Sequence, residues 1–159
     1  MTTIQLNTFI LAPVERCFDL SRSIDLHKSS MYQSNEKAIA GRQTGLIELD
    51  ESVTWEATYF FVKQHLSNMI TEMERPDYFV DEMVAGAFKS LWHKHSFQSR
   101  KDFTLMIDEF KYEVPYGILG KAFNYMILNN YMIKLLKSRN EQIKKIAESK
   151  EWTNYLTVL

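Results

Sequence analysis

With one cysteine in 159 residues, the chain cannot form an internal disulfide; Cys17 reads as a small buried hydrophobe in a reducing compartment. It also lacks an excess of either charge, since nineteen basic residues face twenty acidic ones for a net charge of -1. That balance gives no electrostatic footprint for nucleic acid or an anionic membrane, and neither is expected as a partner. Long uninterrupted apolar runs are missing. The most apolar stretch, residues 118–136, is broken by Lys121, Asn124, Asn129, Asn130 and Lys134, so no membrane span is expected. The start, Met1-Thr2-Thr3-Ile4-Gln5, has neither the basic nor the apolar segment of a secretory signal, and a cytoplasmic location is expected. There is no phosphate-cradling glycine loop, no Cys-x-x-Cys, no His-Glu-x-x-His and no Gly-x-Ser-x-Gly. These absences remove the easily recognised enzymes and leave the others open. No internal repeat, low-complexity tract or linker divides the chain, so residues 1–159 are read as one domain.

What is present is an ordinary core-forming composition, 45% hydrophobic and 13% aromatic. A helical run from about Ile118 to Glu148 organises it. Leu119, Phe123, Met126, Ile127, Asn130, Ile133 and Leu136 fall on one face at steps of three and four. Its first half is apolar nearly all round, which predicts a helix covered on most sides. About thirty residues at about 1.5 Å each make a rod near 45 Å, long enough to cross a small domain. Ahead of it, Thr2–Leu11 alternates as a strand and Ala12-Pro13 ends that strand. Pro13 suits a first helical turn leading into Val14, Cys17 and Phe18, and Ser23 can cap a second short helix. From residue 35 the period becomes two. Lys37–Gly41, Val53–Phe61, Leu66–Met73, Tyr78–Val84, Phe88–Phe97 and Phe103–Val114 read as consecutive strands joined by short turns, an antiparallel meander. Gly120, in the first turn of the long helix, should cost about 1 kcal/mol against Ala and implies a close approach of the helix to the sheet.

That order predicts an α+β helix-grip fold. A curved antiparallel sheet of about seven strands wraps the long C-terminal helix, and two short helices follow the first strand. The opening Phe9-Ile10-Leu11-Ala12-Pro13-Val14-Glu15-Arg16-Cys17-Phe18 resembles the start of the START-like, polyketide cyclase/dehydrase (SRPBCC) superfamily. There a strand commonly runs into an Ala-Pro-x-Glu-x-x-Phe helix. His93-Lys94-His95-Ser96-Phe97, Thr104-Leu105-Met106-Ile107-Asp108 and Tyr112-Glu113-Val114-Pro115-Tyr116-Gly117 are similar to one bacterial branch. The resemblance spans about Thr2 to Glu148, and its motifs are mostly structural. It implies a cavity between sheet and helix. Its members range over lipid carriers, hormone receptors, quinone-binding proteins, cyclases and chaperone activators.

The candidate site follows from both readings. Trp55, Tyr59 and Phe61 on the sheet, with Phe123, Met126 and Ile127 on the helix, either fill a core or line an apolar cavity. Asn130, amid the apolar face, is a satisfied core amide or a pocket group. His93 and His95 stand two apart on a strand and point the same way, about 7 Å apart by strand rise. They are ordinary hydrogen-bonding histidines, a polar pair orienting a ligand, or two metal ligands joined by Glu82, Asp108 or Glu109. A complete set of three or four ligands is not visible, so no metal and no cofactor are expected. The leading expectation is binding of an uncharged or weakly acidic hydrophobic small molecule, admitted beside the N-terminal half of the helix. The alternatives are a cyclase- or lyase-type enzyme using His93 or His95 as acid or base, and a protein-interaction module. The tail Trp152–Leu159 is too apolar to float free. It docks on the domain or on a neighbouring copy, which keeps a homodimer open.

Overall fold

The protein is described by a computed structural model covering residues 1–30, 36–59 and 62–156; of Tyr59 the backbone alone is described. Strand β1 (Thr2–Ile10) leads into α1 (Val14–Ser21) and α2 (Ile24–Ser30). Pro13 stands at the boundary before α1, one position ahead of the first turn. Ser23 caps α2 as expected, its Oγ accepting the Leu26 N–H at 3.3 Å. Six strands follow: β2 (Lys37–Gly41), β3 (Ser52–Tyr59), β4 (Val62–Glu74), β5 (Tyr78–Ala85), β6 (Ser90–Ser99) and β7 (Thr104–Glu113). The expected continuation of β3 to Phe61 lies outside the described residues.

All pairings are antiparallel, in the order β1-β7-β6-β5-β4-β3-β2. The chain therefore crosses from one edge to the other through α1 and α2, then meanders back. Register irregularities at Ala38/Ala40, Ser67/Asn68 and Ile70/Glu72 bend the sheet around its inner face. The long helix comes in three parts: α3 (Gly117–Phe123), a π-helical turn (Asn124–Leu128) and α4 (Asn129–Ala147). Together they match the expected rod to within one residue at each end.

The grip falls on the opposite half of that rod from the one its apolarity suggests. Neither α3 nor the π turn buries a residue, and Ile118, Leu119 and Tyr125 are at least four-fifths exposed. In α4, Met132, Leu136, Arg139, Asn140, Ile143, Ile146 and Ala147 are buried. An all-round apolar stretch has no polar side to turn outward. The later half does, and its stripe locks onto Ile10, Phe18, Phe97 and Met106. Phe18 from α1 meets Phe79 and Phe97 edge-on, with centroids 5.6 and 5.5 Å away.

Local bonds fix the ends of the helix. A Cβ on Gly120 would lie 1.9 Å from the Pro115 carbonyl oxygen, so the close approach is to the turn that launches the helix. At the other end the Leu11 N–H donates to Glu148 Oε1 at 2.8 Å, and Arg16 Nη1 donates to the Ala147 carbonyl at 3.0 Å. Arg16 also lies 4.3 Å over the Trp152 ring, while Leu156 is buried in the main core. The apolar tail thus docks on its own chain as far as residue 156. Among the described residues no helix is long and apolar enough to cross a membrane.

Candidate functional site

Strand alternation on β6 turns Leu91, His93, His95 and Phe97 toward the helix, and on β7 it does the same for Thr104, Met106, Asp108, Phe110 and Tyr112. Between this face and the helix lies a cavity of about 330 Å³. Its apolar walls include Trp55, Leu66, Leu91, Phe110, Met132 and Leu136. It runs from Ser21–Ile24 and His27 to the start of the helix, where Pro115, Tyr116, Gly120 and Phe123 form its rim. Tyr116 is 85% exposed, so the cavity reaches the surface there.

The structure separates the residues singled out in the sequence. Trp55, His93, His95 and Phe123 lie on the cavity wall. Trp55 is buried and stacks on His27 with centroids 4.2 Å apart. Met126, Ile127 and Asn130 are off the wall and exposed. The side chain of Tyr59 lies outside the described residues. The π turn is the cause. It takes one more residue than an α turn, so the inward stripe passes from Phe123 to Leu128, then to Met132, Leu135, Leu136 and Arg139. Tyr112 marks where the turn forms. Its hydroxyl donates to Asn124 Oδ1 at 2.6 Å and lies 3.5 Å from Asn129 Oδ1, two amides five residues apart.

At the floor of the cavity is a buried polar cluster spread over three neighbouring strands. Register sets Asp81 of β5 opposite His93, and Asp108 of β7 opposite His95. Asp108 Oδ1 accepts from His93 Nε2 at 2.9 Å and lies 2.8 Å from His95 Nδ1, the latter contact being close but not aligned as a hydrogen bond. Its other oxygen accepts from Asn140 Nδ2 at 2.7 Å, and Arg139 Nη1 stands 3.7 Å from Oδ1. On the cavity side, Asp81 Oδ2 is 3.1 Å from His95 Nε2 and 3.8 Å from His93 Nδ1. Asn68 Nδ2 donates to Asp81 Oδ1 at 2.8 Å. The imidazole rings lie 3.7 Å apart by centroid.

Burial, reinforced by the neighbouring His95, pushes the His93 imidazole down to about 4, against the opposing pull of Asp108. Burial pushes the Asp108 carboxyl up, but the hydrogen bond from His93 and the close contact of His95 outweigh it and hold it well below the usual carboxylate range. Asp81 is lowered as well: burial raises it, but the hydrogen bond with His95 and the Arg139 guanidinium together outweigh burial. Near neutral pH the floor therefore holds two carboxylates and a neutral His93.

Asp81, Asn68 and Arg139 did not stand out in the sequence. Of the carboxylates considered as partners for the histidines, Asp108 is in the cluster. Glu82 and Glu109 have the opposite strand parity, and Glu109 pairs with Lys111 at 2.7 Å. Asp81, His93 and His95 each offer one ligand atom, all within 4.8 Å of one another.

No family model matches the chain, and no curated protein matches its sequence. Solved structures do share its architecture. A Thermus thermophilus protein superposes with a TM-score of 0.70 at 16% identity, over 89% of this chain and 97% of its own. Major latex-like protein 151 from Panax ginseng gives 0.68 at 13% identity, over 93% and 98%. A START superfamily protein from Mycobacterium smegmatis gives 0.67 at 10% identity, over 91% and 98%. At these identities the likeness is one of fold.

Proposed function

From the START-like helix-grip fold of this chain, we propose that the protein binds a small hydrophobic molecule, uncharged or weakly acidic, between the sheet and the long helix. The carrying observation is the cavity itself, about 330 Å³, with apolar walls that continue from the buried polar floor to the surface at Tyr116 and Phe123. A volume of this order, mostly apolar with few convergent polar groups, is the usual form of a small-molecule site. Leu66, Leu91, Met132 and Leu136 supply contact area, while Asn68, Arg139 and the histidines orient the guest.

The test is a fluorescence titration with N-phenyl-1-naphthylamine, an uncharged apolar probe. The wild-type protein should bind it saturably at one site. Met132→Trp should abolish that binding with the fold intact, because an open cavity accepts the added volume. A variant that unfolds, as an overpacked core does, together with no saturable binding to the wild type, would contradict the proposal.

A further inference from the structure

Two histidines and a carboxylate converge on the cavity floor. Asp81, His93 and His95 each offer one ligand atom within 4.8 Å of the others. Asp81 Oδ2 stands 3.8 Å from His93 Nδ1 and 3.1 Å from His95 Nε2. The opposite nitrogens, His93 Nε2 and His95 Nδ1, both lie within 2.9 Å of Asp108 Oδ1. His95 Nδ1 is buried there without an aligned hydrogen-bond partner. A metal ion on His95 Nε2 would leave the ring hydrogen on Nδ1, facing the Asp108 carboxylate, the usual arrangement of a ligating histidine and its supporting acid.

We infer that Asp81, His93 and His95 form a binding site for a divalent transition-metal ion, ligated by Asp81 Oδ2, His93 Nδ1 and His95 Nε2. With metal–ligand distances of about 2.0–2.2 Å, the ligand atoms of a tetrahedral site stand about 3.3–3.5 Å apart. The observed 3.1 and 3.8 Å bracket that spacing. Two imidazoles and one carboxylate suit zinc or iron(II), and they disfavour magnesium and calcium, which take oxygen ligands. The surrounding groups are those a metal site needs. Asp108 contacts the far nitrogen of each histidine, Asn140 and Arg139 hold Asp108, and Asn68 orients Asp81. Asp81, His93 and His95 line the cavity, whereas Asp108 lies behind them. The remaining coordination positions therefore open toward the guest space. The inference does not rest on the identity of the guest, or on there being one.

The experiment uses the full chain, stripped with chelator and titrated by calorimetry with Zn²⁺, Fe²⁺ and, as a control, Mg²⁺. One equivalent of Zn²⁺ or Fe²⁺ should bind and raise the melting temperature, with no response to Mg²⁺; the stronger of the two names the ion. His95→Gln and Asp81→Ala should abolish that binding, and Asp108→Asn should weaken it about 10–100-fold. His65→Ala, at an exposed His65–Glu56 pair, should leave it unchanged. Pulsed electron paramagnetic resonance of the Cu²⁺-loaded wild type needs no folded variant and should show two imidazoles on the metal. No one-equivalent binding by the wild type, loss of binding in His65→Ala, or a Cu²⁺ spectrum with fewer than two imidazoles overturns the inference. Failure to bind N-phenyl-1-naphthylamine would count against the guest site and leave the metal site standing.

Discussion

Cys17 lies fully buried in the main core, its Sγ 3.9 Å from the Ala12 carbonyl. Burial drives the thiol up to about 11, although Thr104 and Arg16 pull the other way. At pH 8 only about one thiol in a thousand is ionised, and that one is enclosed. Iodoacetamide should leave the native protein unlabelled over a time that fully labels it in urea, with native labelling increasing only as the pH approaches 11. Native labelling at pH 8 at the unfolded rate would show that the thiol is accessible. At this scale the sequence was legible where one fact sufficed. His93 and His95 share a face whatever the register, because alternation has no third option. Asp81 was missed because its membership depends on which residue of β5 stands opposite His93, a property of two strands together.

Among the elements, the long helix was read correctly in extent, and Phe123 and Leu136 of its predicted face do reach the cavity, but Leu119, Met126, Ile127 and Asn130 do not. A period of 3.6 carried unbroken from Leu119 points Met126, Ile127 and Asn130 inward. The π turn at Asn124–Leu128 passes the inward stripe from Phe123 to Leu128 instead of Met126 and Ile127, and no periodicity within the helix announces a turn that Tyr112 on another element helps to hold. Two substitutions test the corrected phase. Ile127→Trp, at a position 44% exposed, should leave N-phenyl-1-naphthylamine binding unchanged, whereas Met132→Trp removes it. Equal loss in both would restore the unbroken phase. Gly120 tests the helix start. Gly to Ala within a helix ordinarily stabilises by about 1 kcal/mol. Here the new Cβ meets the Pro115 carbonyl, so Gly120→Ala should destabilise by about 1–3 kcal/mol in urea unfolding, as overpacking does. A gain in stability would mean that the turn yields freely.

Across the whole molecule, element order was legible because each strand carries its own alternation and each turn its own breakers, while some ends shifted: β4 starts at Val62, four residues before the expected Leu66, and β6 runs Ser90–Ser99 instead of Phe88–Phe97. The fold needs no more than that order and antiparallel pairing. The distribution of burial along the rod was not legible, because it depends on which half the curved sheet closes upon. The outcome is a molecule with two apolar surfaces that a hydrophobic guest could use: the cavity, and the exposed stretch from Ile118 to Ile127 beside its mouth. Of the two, the guest enters the cavity. The most direct measurement is the shift of backbone amide and side-chain methyl resonances as N-phenyl-1-naphthylamine is added. Saturable shifts are expected at Leu66, Leu91, Met132, Leu135 and Leu136, on both walls of the cavity. Shifts confined to Ile118, Leu119, Met126 and Ile127, with those inner residues unmoved, would contradict it.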